Sequence, residues 1–178
     1  MNIENSILIL IDVQGKLAQL MYDRERLFAN LQIVVKGARI LGVPILWCQQ
    51  NPRALGPTIS ELTGLLEGIS PIDKMSFSCC GDMAFQDALL KTGRNQAVLC
   101  GIESHVCVYQ TAADLRIKGY DVAVVADAVS SRTAENKQTA LSRMQSEGVC
   151  VTSTEMLLFE WMRTATHAQF KEVARLVR

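Results

Sequence analysis

The sequence predicts a three-layer, doubly wound α/β fold. Short apolar runs alternate with longer amphipathic stretches along the whole chain. The runs are near-continuous in hydrophobicity, as strands buried on both faces of a parallel sheet require. No linker, low-complexity tract or internal repeat interrupts the 178 residues, so a single domain over 1–178 is expected. A chain of this length buries roughly 70% of the surface its unfolded form exposes, enough for a core without disulfides or metal.

Ser6–Asp12 reads as a buried strand. Glu25–Leu41 carries Leu27, Leu31, Val34, Val35, Ala38 and Leu41 at helical spacing, with Gly42 placed to end it. Val43–Cys48 is a second strand, with Pro44 tolerable only near its start. Asn51–Pro57 is a loop, Thr58–Leu66 a short helix and Ile72–Phe77 a short extended segment. Asp82 is placed to cap a helix to about Lys91, stopped by Gly93. Gln96–Gly101 is a strand and Ser104 to Lys118 a helix, ended by Gly119. Asp121–Ala126 is a strand, Thr133 caps a helix to about Glu147, and Val149–Thr152 is the last strand. Helices near Thr154–Arg163 and Thr166–Val177 complete the chain.

Composition excludes several classes. At 49% hydrophobic and 20% charged, the chain is too apolar for disorder. Lys+Arg 18 against Asp+Glu 18 leaves no basic surplus for a phosphate backbone, which argues against nucleic acid as the main partner. The apolar run Ile7–Ile11 is too short to cross a bilayer and lacks the basic flank of a signal peptide. The six cysteines include no C-x-x-C spacing, and His105 and His167 are the only histidines, so neither a zinc site nor a disulfide scaffold is expected. A reducing, cytoplasmic compartment follows.

In doubly wound sheets ligands bind beyond the carboxyl ends of the strands, where strand order reverses. Asp12 ends the first strand, and Cys107 lies in the first turns after Gln96–Gly101. If those two strands are neighbours, carboxylate and thiol face each other. A helix N-terminus favours a thiolate and offers free N–H groups to an oxyanion. Position alone leaves Cys107 equally readable as a small core residue, Asp12 as a solvated strand end, and Lys74 as a surface lysine. Cys48, Cys100 and Cys150 read as core, and Cys79 and Cys80 as loop thiols. A Cys–His dyad fits poorly, because His105 is two positions from Cys107 and shares no helical face with it, and His167 lies in the last helix. The base expected for a catalytic Cys107 is therefore Asp12. Gly101-Ile102-Glu103-Ser104 lacks the glycine pattern of a dinucleotide loop, so no such cofactor is expected.

The segment Gly101-Ile102-Glu103-Ser104-His105-Val106-Cys107-Val108-Tyr109-Gln110-Thr111-Ala112 resembles the nucleophile motif of the isochorismatase-like cysteine hydrolases. Leu10-Ile11-Asp12-Val13-Gln14 resembles their first-strand aspartate motif. Asp73-Lys74-Met75-Ser76-Phe77-Ser78 resembles their lysine motif, and Val124 to Arg132 their later strand-and-loop signature. The four stand in the family's order across nearly the whole chain. Gln49-Gln50-Asn51-Pro52 with Leu55-Gly56-Pro57-Thr58 is most similar to the branch of isochorismatase domain-containing proteins.

The resemblance implies a six-stranded, mainly parallel sheet between helices and a homo-oligomer. It implies a triad of Asp12, Lys74 and Cys107. It also implies a cis peptide between Ile102 and Glu103, with the N–H groups of Glu103 and Cys107 as the oxyanion hole. Gln14, Trp47, Gln50 and Phe77 would line the pocket. The family's nicotinamidases carry a metal held by an Asp-x-His pattern and a further histidine. Gln49-Gln50-Asn51-Pro52-Arg53 has no histidine, so neither metal nor nicotinamide is expected. True isochorismatases typically carry glycine where Cys107 stands, which argues against isochorismate cleavage. The implied function is metal-independent hydrolysis of a small molecule, at an amide bond through a thioester. The alternative class is a non-catalytic oligomeric binding or thiol redox protein on the same fold.

Overall fold

The structure, a computed structural model, describes residues 1–178. β1 (Ser6–Ile11) is followed by α1 (Gly15–Gln19) and the long α2 (Arg24–Ile40). β2 (Ile45–Gln50) leads through α3 (Pro52–Leu55), α4 (Ser60–Thr63) and a 3₁₀ turn at Gly64–Leu66 to β3 (Ile72–Lys74). A second 3₁₀ turn, Cys79–Gly81, precedes α5 (Met83–Lys91). β4 (Gln96–Ile102) runs into a π-helical turn at Ser104–Val108, continued by α6 (Tyr109–Ile117). β5 (Asp121–Ser130), α7 (Ala134–Ser146), β6 (Cys150–Thr152), α8 (Thr154–Met162) and α9 (Phe170–Leu176) complete the chain.

The six strands form one sheet in the order β3-β2-β1-β4-β5-β6, and every pair is parallel. The order reverses between β1 and β4, whose ends pair at Ile11 and Gly101. The strand adjacency that would bring Asp12 toward Cys107 is therefore present. Alternation along β1 divides the core. Leu8 and Leu10 join α2, α8 and α9 on one face, and Ile7, Ile9 and Ile11 join α5, α6 and α7 on the other. Every residue of β1 is buried because both faces are covered. Asp82, Thr133 and Ser153 cap α5, α7 and α8 through side-chain oxygens that accept N–H bonds three residues on. No helix is long and apolar enough to cross a membrane.

Several boundaries differ from the sequence-based expectation for physical reasons. β2 starts after Pro44, which has no N–H to give, and continues through polar Gln49 and Gln50 because they pair with Asp73 and Lys74. β5 continues past Asp127 because its carboxylate is satisfied by the Thr154 N–H and hydroxyl, both at 2.8 Å. β3 ends at Lys74, and the chain then turns so that the Ser76 and Phe77 carbonyls face the Lys74 ammonium. The expected helix from Ser104 is split into the π-helical turn and α6. α1 and α3, single short turns, have no sequence periodicity to announce them. Cys150 sits exposed on edge strand β6 rather than in the core, whereas Cys79 and Cys80 are buried rather than in an open loop.

Candidate active site

Asp12 follows β1 in a left-handed conformation (φ 53°), with its N–H donating to the Cys48 carbonyl at 3.1 Å. Its Oδ2 accepts from Lys74 Nζ at 2.7 Å, and its Oδ1 is buried with no N–H or O–H partner. Cys107 is near enough to the same carboxylate for its charge to act on the thiol.

Gly101 makes this approach possible. Its φ is +115°, and a Cβ there would stand 2.1 Å from the Ile11 carbonyl oxygen. Only glycine lets β4 run so close to β1 at the point where both strands deliver functional residues. Beyond it, the peptide bond between Ile102 and Glu103 is cis. The Glu103 carboxylate is fixed by Arg132, whose N–H and Nε donate to Oε2 at 3.2 and 3.1 Å.

Lys74 is buried, with 2% of its surface exposed. Its ammonium meets four oxygens: Asp12 Oδ2 at 2.7 Å, Gln50 Oε1 at 2.8 Å, Phe77 O at 3.0 Å and Ser76 O at 3.2 Å. Three N–H bonds are thereby fully engaged, so Lys74 acts on the site as a fixed charge. Burial opposes that charge, but Asp12, Cys79 and Cys107 outweigh burial and hold its pKa above the ordinary value. Burial pushes the Asp12 carboxyl up, and Lys74 offsets only part of this. A carboxylate of raised basicity suits proton acceptance.

Cys107 is 7% exposed. Burial and then the Asp12 carboxylate push its thiol well up, with Lys74 pulling the other way. Burial thus works against the thiolate that a helix start favours. His105 Nδ1 pairs with Ser131 Oγ at 2.9 Å, and His167 Nδ1 accepts from the Gln169 N–H.

The structure divides the expected pocket residues. Gln50 shares the Cys107 face and contacts Lys74. Phe77 contributes its carbonyl to Lys74 and leaves its ring 56% exposed. Trp47 belongs to the opposite face: it pairs with Leu10, packs on the α2 side of the sheet and donates to Thr58 Oγ1 at 2.8 Å. Gln14 is fully buried and spends its amide on Gln50 N, Gln50 O and Gly56 O, so it braces the loop after β2 instead of facing a substrate. A cavity of about 380 Å³ opens beside Lys74 and Met75, lined also by Asn51, Pro52, Arg53 and Asp73. Sequence reasoning missed Cys48, Cys79 and Ser104 as neighbours of the site. Cys48 and Cys79 belong to the same buried cluster as Cys107, and the Ser104 hydroxyl is buried without a partner.

Fold and site define a doubly wound α/β protein with a buried carboxylate–ammonium pair set against a thiol at the switch point. The chain belongs to the isochorismatase-like hydrolase family: the Isochorismatase domain matches residues 6–156. It is 39% identical to isochorismatase domain-containing protein 2A of Mus musculus, over 98% of this chain and 84% of the mouse protein. It is 35% identical to the solved MAR1 ribonuclease of Caenorhabditis elegans, with a TM-score of 0.93 over 99% of this chain and 91% of that one. An octameric hydrolase of unknown specificity from Escherichia coli shares the fold, with a TM-score of 0.94, 21% identity and coverage of 99% and 88%.

Proposed function

We propose that this protein is a metal-independent cysteine hydrolase that cleaves a C–N bond in a small amide. One observation carries the reading: the buried Asp12 carboxylate gives Oδ2 to Lys74, leaves Oδ1 without a hydrogen-bond partner, and is near enough to Cys107 for its charge to act on the thiol. In the proposed cycle Asp12 takes the thiol proton as Sγ attacks the carbonyl carbon. The N–H groups of Glu103 and Cys107 hold the oxyanion. Asp12 returns the proton to the departing amine, leaving a thioester. It then takes a proton from water, which attacks the thioester, and the carboxylic acid leaves as the thiol is restored. Lys74 keeps Asp12 anionic and oriented, and Gln50 and Phe77 stand on the substrate side.

The balance of charge supports a small-molecule partner rather than a nucleic acid or membrane. We read the chain as cytoplasmic, in keeping with its six free thiols, and as a homo-oligomer, which the octameric assembly named for the E. coli neighbour supports. The name of the C. elegans neighbour supplies a second reading, cleavage of RNA.

The test is a screen of small amides for hydrolysis, with the Cys107 adduct trapped by acid quench and located by mass spectrometry. Turnover with an acyl group on Cys107 supports the proposal. RNA cleavage that survives Cys107→Ala, with no amide turned over, replaces it with the second reading.

A further inference from the structure

Five of the six cysteines are buried, and the hydrolytic cycle uses one. Cys48, at the end region of β2, and Cys79, opening the 3₁₀ turn before α5, are both fully buried in the cluster that holds Cys107. The backbones of Cys79 and Cys107 are tied through a single atom. The Thr111 hydroxyl oxygen accepts the Cys79 N–H at 3.0 Å and donates to the Cys107 carbonyl at 2.7 Å. The buried Lys74 ammonium lies close enough to both Cys79 and Cys107 for charge on either sulfur to act on it.

We propose that Cys79 is the resolving thiol for an oxidised Cys107, so that peroxide converts the pair to a reversible Cys79–Cys107 disulfide. The chemistry balances with a peroxide as oxidant. The Cys107 sulfur, its proton passed to Asp12, attacks one peroxide oxygen, the O–O bond breaks, and a sulfenic acid and one water form. The Cys79 sulfur then attacks the sulfenic sulfur. The S–S bond forms, the S–O bond breaks, and hydroxide leaves with the Cys79 proton as a second water. Lys74 favours the sulfur anion in both steps. Cys80 shares no such contact with Cys107, and Cys150 is exposed on the far edge strand.

The consequence is protection of the thiol. A sulfenic acid without a neighbouring thiol is carried on to sulfinic acid, which ordinary reductants do not reverse. A disulfide returns to two thiols on reduction. This role stands independently of the reaction the site catalyses.

The experiment uses a Cys150→Ser protein, which removes the exposed thiol and intermolecular bridging. The reduced protein is treated with stoichiometric hydrogen peroxide, alkylated, digested without reductant and mapped by mass spectrometry. The expected result is loss of two free thiols, a Cys79–Cys107 linked peptide, and full recovery of both thiols with dithiothreitol. Adding Cys79→Ser should abolish the linked peptide and send Cys107 to sulfinic acid, whereas Cys80→Ser should leave the linkage unchanged. Sulfinic acid on Cys107 with Cys79 still free in the Cys150→Ser protein overturns the proposal, without reference to any further variant. A Cys48–Cys79 or Cys80–Cys107 linkage as the main product overturns it equally.

Discussion

Lys74 Nζ donates to Asp12 Oδ2 at 2.7 Å across three neighbouring strands, from the end of edge strand β3 past β2 to the end of β1. Both groups are buried, and the ammonium is further held by Gln50 and by two carbonyls of the turn that follows it. The ammonium therefore ties the Ser76 and Phe77 carbonyls of that turn to the carboxylate.

Lys74→Met should strand the Asp12 carboxylate in the interior. Removing one partner of a buried pair costs about 3–5 kcal/mol, to be read as a fall in urea midpoint at neutral pH. The double variant Asp12→Asn with Lys74→Met should recover part of that loss, because no uncompensated charge remains. Because the ammonium's pKa is raised from 10.5, the stabilisation it confers is complete below that value and lost only as pH rises through the higher folded one. A Lys74→Met protein as stable as the parent would show that the pair contributes nothing net.

The acid limb of activity should report Asp12. The base must be ionised to accept a proton, and burial lifts its carboxyl from the ordinary 3.8. Loss of kcat/KM on acidification should therefore begin above the ordinary carboxylate range. An acid limb within the ordinary range, as for an exposed carboxyl, would contradict this placement.

Gly101→Ala tests the approach of β4 to β1. The added methyl would meet the Ile11 backbone at 2.1 and 2.7 Å, at a φ that alanine disfavours. The expected loss is about 3 kcal/mol or more. Gly42→Ala, also at positive φ (68°) but with nothing within 4 Å, should lose less. Equal losses at the two sites would mean that conformational strain alone accounts for the effect.

The residues that bear on these predictions were unequally legible in the sequence. Asp12 and Cys107 could be placed because both follow long apolar strands, and parallel topology puts strand ends together. Lys74 could not be singled out by pattern, since its strand is three residues long and a lysine is ordinarily exposed; only the family resemblance marked it. Trp47 and Cys48 are adjacent, yet alternation sends their side chains to opposite faces. Which of them would lie on the Cys107 face depended on the register of β2 against β1, which the apolar run VPILWC does not specify. Gln14 reads as a polar residue beside a catalytic one, and its amide proves to be consumed by the backbone of the loop after β2. The burial of Cys79 depends on a turn with no periodicity, so no local signal announces it.

Chelation should leave activity unchanged. No group of three or more His, Cys, Asp and Glu side chains is arranged to hold a metal ion, and Lys74 already neutralises Asp12. Prolonged treatment with a strong chelator, followed by assay and elemental analysis, is the check. Activity lost on chelation and restored by one metal would require a different account of the carboxylate.

Asp12→Asn should separate two properties of Cys107 that usually move together. The asparagine keeps the shape of the side chain but cannot take a proton at neutral pH, so amide hydrolysis should fall by about 10²–10⁴. The reactivity of the thiol toward iodoacetamide should move the other way. In the parent, burial and then the Asp12 charge hold the Cys107 proton in place. Replacing that charge removes the largest cause after burial and leaves the Lys74 ammonium without its anion, which favours the sulfur anion further. Labelling of Cys107 at neutral pH should therefore accelerate while turnover collapses. Cys150, exposed on β6, provides the internal reference, because its labelling rate should be the same in both proteins and in the parent should exceed that of Cys107. His105→Ala and His167→Ala should change neither rate by more than a few-fold, since His105 pairs with Ser131 and His167 with its own turn. Slower labelling of Cys107 in Asp12→Asn would mean that Asp12 activates the thiol already at rest, and a large loss in His105→Ala would return the base role to histidine.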